Sequence, residues 1–278
     1  MSRRRLALAL LLALAAAPAR AGPAISIVID DLGDRWSSGA QAVALPGPVA
    51  CAFLPSSPHT RKLAELARAG GKPVLLHLPL QPLHARAHPL ALGAGGTEAD
   101  GAQLGRMLAA VPGVEGVNNH QGSEATSARG QMHWLMRELS LRGVGYFIDS
   151  MTSADSQAYA LARAYGLPAT RRKVFLDNDP SPAAVEAEFE RLLRIARRDG
   201  TALAIGHPHP ATLDLLRRRL PQLRAQGIEL LSPRQLIARS EQAPAPMPFR
   251  LRLSTEMAPT AAAAGTPGSS PATALSAP

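Results

Sequence analysis

Two carboxylates stand side by side in this chain, Asp30 and Asp31, directly after the run Ile25-Ser-Ile-Val-Ile29 and just before Gly33. Neighbouring residues on a strand point to opposite sides, so the pair could divide its work, one binding a metal and the other handling a proton. The same Asp-Asp-x-Gly sequence is also good turn chemistry. Other residues weigh on the choice. His77, Asn118-Asn119-His120, Asp149, Asp177 and His207 each end a strand-like segment. An aspartate with two histidines is a ligand set for Zn²⁺ that leaves positions open for water and substrate. Such a metal acidifies its water and polarises a carbonyl, while a free carboxylate serves as base and a histidine opposite as acid. That equipment suits hydrolysis of an amide or ester. No Gly-x-Ser-x-Gly elbow is present, which disfavours a serine hydrolase.

These residues need elements that bring them together. Between residues 24 and 240 strand-like and helix-like segments alternate. The strands are 25–29, 49–54, 73–77, 145–149, 173–177, 201–205 and 228–231, with 113–119 a short strand or loop. The helices are 59–70, 104–111, 131–142, 156–165, 182–198 and 211–226. Repeated βα units predict a parallel sheet or barrel, and roughly seven repeats over about 220 residues favour barrel-like closure. Strand C-termini then converge on one face, where residues distant in sequence meet. Neither a dinucleotide glycine fingerprint nor a phosphate loop is present.

The two ends read differently. Ser2-Arg-Arg-Arg5, the apolar Leu6–Ala17 and Ala19-Arg-Ala21 form a signal-peptide pattern, with a mature start near Gly22 and a periplasmic or secreted product. The apolar run is short for a bilayer span, so no transmembrane segment is expected in the mature form. Removing Arg3, Arg4, Arg5 and Arg20 takes four of 30 basic residues and none of 21 acidic ones, so the formal charge falls from +9 to +5. No basic block interleaved with aromatics is present, and no nucleic-acid partner is expected. Cys51 is the sole cysteine, so an internal disulfide is excluded and a buried thiol is expected. From Glu241 to Pro278 the chain is rich in Ala, Pro, Ser and Thr, the composition of a flexible tail.

The site residues also carry a resemblance. Ile29-Asp-Asp-Leu-Gly33, His77-Leu-Pro-Leu-Gln-Pro82, Gly116-Val-Asn-Asn-His-Gln-Gly-Ser123, Phe147-Ile-Asp-Ser150, Phe175-Leu-Asp-Asn178 and Ile205-Gly-His-Pro208 together resemble the divergent polysaccharide deacetylase family over about residues 24 to 235. The resemblance implies an α/β fold, a distorted seven-stranded (β/α) barrel, and a divalent metal, usually zinc, that serves removal of acetyl groups from carbohydrate. It implies Asp30 as general base, Asp31 and His77 as metal ligands, and His207 as general acid. Asp149 would orient His207 or touch substrate, and Asn119 and Ser123 would line the pocket. The sequence departs from the parent pattern at Gln81, where a second metal histidine is expected. His120 is the replacement within reach from the next strand end. Asp177 and His209 are second-tier.

Two functions follow as expectations. One is an exported metal-dependent carbohydrate deacetylase. The other is a non-catalytic glycan-binding or envelope accessory protein with a cell-envelope partner, which Gln81 favours. A phosphoester hydrolase is a distant third, because no Arg/Lys cluster belongs to the strand-end face, although Arg171-Arg172 lies just before the strand ending at Asp177. Trp36 and Tyr146 are candidates for stacking on sugar, while Trp134 is placed in the core.

Overall fold

The computed structural model describes residues 22–93 and 96–242. The proposed signal segment, Met1 to Ala21, and nearly all of the proposed tail lie outside the described residues. Glu241 and Gln242, assigned by sequence to the tail, instead finish a helix.

The domain is a distorted (β/α) barrel built on one curled sheet. Its strands are β1 (Ala24–Leu32), β2 (Ala50–Phe53), β3 (Val74–Leu80), β4 (Gly116–Gln121), β5 (Phe147–Asp149), β6 (Ala169–Arg171), β7 (Val174–Phe175), β8 (Thr201–Gly206) and β9 (Glu229–Leu230). Eight of them run in the order β6-β5-β4-β3-β2-β1-β8-β7, with β9 on β1, and every pairing is parallel. The family resemblance implies seven strands and the sequence marks eight strand-like segments; among the described residues nine form, the additional one being β6, which is too short to carry a sequence pattern. The sheet's two edges, β6 and β7, are consecutive in the chain. Between them Arg172 N–H bonds to Asp149 O on β5, and Lys173 N–H to Leu203 O beside β7, each at 2.9 Å. The link therefore spans the gap that an open sheet would leave.

Helices α1 (Trp36–Val43), α2 (Thr60–Ala69), α3 (Glu98–Ala110), α4 (Arg129–Leu141), α5 (Ala158–Ala164), α6 (Pro182–Asp199), α7 (Pro210–Arg219) and α8 (Pro233–Gln242) complete the fold. Sequence reading missed α1 and α8. It also ran α7 on to Gln226, where two 3₁₀ turns around Pro221 replace it, because proline cannot donate the next helical hydrogen bond. Among the described residues no helix is long and apolar enough to cross a membrane.

Strand alternation sorts the core into two layers. On β1, Ile25, Ile27 and Ile29 face the helices, and each such burial stabilises by about 1.5–3 kcal/mol. Ala24 and Val28 face the barrel interior with Ala50, Ala52, Leu75, Tyr146, Ile148, Leu203 and Ile205. Gly116 on β4 leaves room for Tyr146, since a Cβ there would run into its ring, and the Tyr146 hydroxyl donates to Glu115 Oε1 at 2.8 Å. Tyr146 is fully buried, so the sequence suggestion that it stacks on sugar is corrected. Cys51 is buried as expected, and burial pushes its thiol up to about 12.

The inward parity of each strand continues into its C-terminal end. It carries Asp30 on β1, His77 on β3, Asn118 and His120 on β4, Ser150 after β5, and His207 after β8. Asp31 has the wrong parity, and the backbone corrects it. The β1–β2 register slips between Ile29 and Leu32, and Asp31 takes a left-handed φ of 54°. Such a conformation is uncommon for a non-glycine residue and turns the side chain out of the strand's alternation. Gly33 then leaves the site at φ 125°, where a Cβ would run into Thr60 Oγ1.

Candidate metal centre

Asp31, His77 and His120 meet at the C-terminal edge of the sheet. Asp31 Oδ1 lies 3.2 Å from His77 Nε2 and 3.0 Å from His120 Nδ1, and the two ring nitrogens are 3.2 Å apart. Metal–ligand distances of about 2.0–2.2 Å put neighbouring ligands roughly 2.8–3.6 Å apart for angles between about 90° and the tetrahedral value, and this triangle falls within that range. Asp31 Oδ1 is buried and neither contact has hydrogen-bond geometry, which leaves the atom without a donor. A buried carboxylate oxygen without a partner is costly, and a cation would satisfy it. Burial pushes the Asp31 carboxyl up, but the close His120 and His77 rings outweigh it and hold it below the usual range.

The tautomer of His77 follows from its neighbours. Asn118 Nδ2 donates to both oxygens of Asp30, at 2.8 and 3.0 Å. Because a carboxylate only accepts, the other end of the amide, Oδ1, must face His77 Nδ1 at 3.0 Å. In the neutral ring Nδ1 then carries the proton and Nε2 turns its lone pair into the triangle. Asn118 thus holds the base candidate and a ligand candidate at once. In the sequence Asn118 stands at a strand end, but its residue type alone does not point to this role.

Asp30 is nearly buried. Burial raises its carboxyl pKa, with Asp31 adding to the rise, against the opposing pull of His77 and His207 and the Asn118 hydrogen bond. His207 stands on the other side. Its Nδ1–H donates to Asp177 Oδ1 at 3.0 Å, and its Nε2 faces Asp31 Oδ2 at 3.7 Å. Asp177 Oδ2 accepts from His207 N–H at 2.6 Å and Thr212 Oγ1 at 2.7 Å. Burial pulls His207 down, but Asp177, Asp30 and Asp31 raise it overall. Asp177, His207 and the exposed His209 also lie close together. There the Asp177 carboxylate already accepts three hydrogen bonds, so the donor set for an ion is poorer.

Three sequence-selected residues are placed differently. Asp149 faces outward from β5. It accepts from Met151 N–H at 2.9 Å, Ser156 Oγ at 2.7 Å and Tyr159 N–H at 3.2 Å. The residue that orients His207 is Asp177. Asn119 also faces outward, bonding Ser150 N–H and Gln121 O at 2.8 Å each. Ser123 Oγ accepts Leu83 N–H at 2.9 Å and tethers the loop after β3. Gln81 sits where the missing histidine was expected, and among the described residues its side chain has one hydrogen-bond partner, Pro82 O, at 3.5 Å. Beyond His207 a cleft of about 540 Å³ opens between the β1–α1 and β8–α7 loops, lined by Asp34, Arg35, Ser37, Ser38, Gln41 and His209 among others. Trp36 is exposed and edge-on to His59, and Trp134 packs against the core.

Comparison with known proteins agrees with this architecture. Residues 27–237 match the divergent polysaccharide deacetylase family. The chain is 39% identical over 225 residues to the uncharacterized protein YibQ of Escherichia coli K12, covering 80% of this chain and 69% of that protein. It is 33% identical over 239 residues to an uncharacterized protein of Haemophilus influenzae, covering 85% and 84%. A crystal structure of an uncharacterized protein from Agrobacterium tumefaciens C58 superposes with a TM-score of 0.74 at 26% identity, covering 77% of this chain and 89% of that one.

Proposed function

The chain belongs to the divergent polysaccharide deacetylase family, and from that premise we propose that it is an exported, metal-dependent hydrolase that removes acetyl groups from a cell-envelope or other carbohydrate. The observation that carries this reading is the triangle of Asp31, His77 and His120, flanked by a separate buried carboxylate and a separate aspartate-braced imidazole. The three residues would hold a divalent cation, with zinc the ion that suits one carboxylate and two imidazoles. When bound, it acidifies a water and polarises the acyl carbonyl.

The remaining work falls to the chain's own groups. Asp30 takes the proton of the attacking water, aided by a carboxyl pKa that burial has raised. Asn118 fixes its oxygens against rotation. His207 Nε2 returns a proton to the departing amine or hydroxyl, and Asp177 steadies the imidazolium before the transfer. The second reading, an envelope accessory protein with the pocket but without turnover, draws its support from Gln81. The test is acetate release from N- and O-acetylated oligosaccharides by zinc-loaded protein, with a chelated sample alongside. Acetate from the loaded protein alone is expected. Glycan binding with no acetate from either sample would leave the accessory reading in its place.

Acidity gives a second check. Without metal, burial pulls the His77 imidazolium down, but Asp30 and Asp31 outweigh it and raise its pKa from 6.5 to about 9. A cation must displace that proton. Zinc affinity is therefore expected to rise by up to about tenfold per pH unit from neutrality toward 9 and to flatten above it. Competition against a chelator of known affinity, corrected for its own protonation, measures this. A flat affinity over the interval would remove His77 from the ligand set. The stability of metal-free protein should move oppositely. The folded-state pKa is the raised one, so the stabilisation is full below 6.5 and is lost as pH climbs through about 9.

A further inference from the structure

Among the described residues three arginines are half-buried: Arg172, Arg219 and Arg239. Two of them are paired. Arg219 bridges Glu186 and Glu190, and Arg239 reaches Glu229 at 2.7 Å. Arg172, on the β6–β7 link beside the site, has no carboxylate within 4.0 Å among the described residues. Its Nε donates to Ser150 O at 2.6 Å and its Nη2 to Met151 O at 2.7 Å, both neutral carbonyls. Its guanidinium lies 4.9 Å over the Phe175 ring, which is itself 5.3 Å from the His207 ring. Nη1 donates to no acceptor among the described residues. Asp30 is the carboxylate that acts most strongly on its charge, followed by Asp149, whose oxygens are already occupied.

A cation drawn partly out of water is costly unless an anion meets it. This one is held rigid by two carbonyls and an aromatic face, the arrangement that lets guanidinium bind an oxo-anion with little further loss of freedom. We propose that Arg172 is an anion-recognition residue of the site, and that the saccharide it serves carries an anionic oxo group, a carboxylate or a phosphate. The inference rests on the reading of the site as one for carbohydrate.

The test measures binding by the full, zinc-loaded chain of a neutral acetylhexosamine oligomer and of the same oligomer carrying one carboxylate or one phosphate. Wild type is expected to bind an anionic form roughly tenfold or more tighter than the neutral one. The arm that shows the preference identifies the group. Arg172→Gln should bring the ratio near one. Arg172→Lys should fall between, since an ammonium keeps the charge without the fork. A wild-type ratio near one, or a preference that Arg172→Gln keeps, overturns the proposal. Should Arg172→Gln fail to fold, wild type supplies the reading. Inorganic phosphate or acetate ion should then weaken binding of the anionic oligomer and spare the neutral one, and equal effects on both would overturn it. Acetate release is scored separately. Arg172-dependent binding without acetate sinks the deacetylase reading and leaves this one standing.

Discussion

Asp30→Asn protein is expected to keep its zinc and to release acetate about 10²–10⁴-fold more slowly than wild type. The carboxylate lies outside the ligand triangle, its nearer oxygen 3.6 Å from His77 Nε2, while Asp31 Oδ1 stands at 3.2 Å. Its two oxygens are oriented by one donor, Asn118 Nδ2. An asparagine keeps the shape and one acceptor for that donor but cannot take a proton from water. The buried site should therefore stay assembled while proton removal fails. Zinc stoichiometry and acetate release on the same preparation separate the outcomes. Joint loss of zinc and activity would make Asp30 a ligand, and an unchanged rate would take it out of the reaction.

The Asp30 result would also test a rule that was available in the sequence. Side chains alternate along a strand, so Tyr146, Ile148 and Ser150 share one face and Phe147 and Asp149 the other. Once Tyr146 is known to point inward, Asp149 points to the helices, where it braces the segment leading into α5. Within Asn118-Asn119-His120 the same count selects the outer two and rejects Asn119. Strand ends were legible as places where polar residues gather; which strand-end residues enter the site required parity. Asp31 is the residue parity would have rejected wrongly. Its left-handed backbone and the slipped register bring it back into the pocket, and no hydrophobic pattern encodes that. The turn suggested by Asp-Asp-x-Gly and the site suggested by the carboxylates are one feature, since the turn aims the second carboxylate. Asp177 was legible at a strand end, but its pairing with His207 depends on Thr212 and the local approach of β7 to β8. β6 is not legible because a three-residue strand carries almost no periodicity, whereas β7 lies within the strand read at 173–177.

Removing the His120 imidazole should have the largest effect on metal. A residue that merely supports a ligand changes affinity by about 10–100-fold, and loss of one ligand of three should exceed that. His120→Ala is therefore expected to bind zinc at least about 100-fold more weakly and to lose acetate release with it. Gln81 gives this expectation its force. The family resemblance leads one to look for a histidine there, yet among the described residues the Gln81 side chain hydrogen-bonds only Pro82 O, while His120 Nδ1 sits 3.0 Å from Asp31 Oδ1. If β4 has taken over the ligand that β3 lacks, Gln81→Ala should leave zinc affinity within a few-fold of wild type while His120→Ala lowers it by at least about 100-fold. The reverse result would return the ligand to β3. Full occupancy in both variants would mean that the triangle of Asp31, His77 and His120 is not where the metal sits. The comparison also bears on turnover. A ligand relocated to a neighbouring strand, with Asp30 and His207 still flanking the triangle, preserves the parts that hydrolysis needs, so loss of the parent histidine does not by itself imply loss of the reaction.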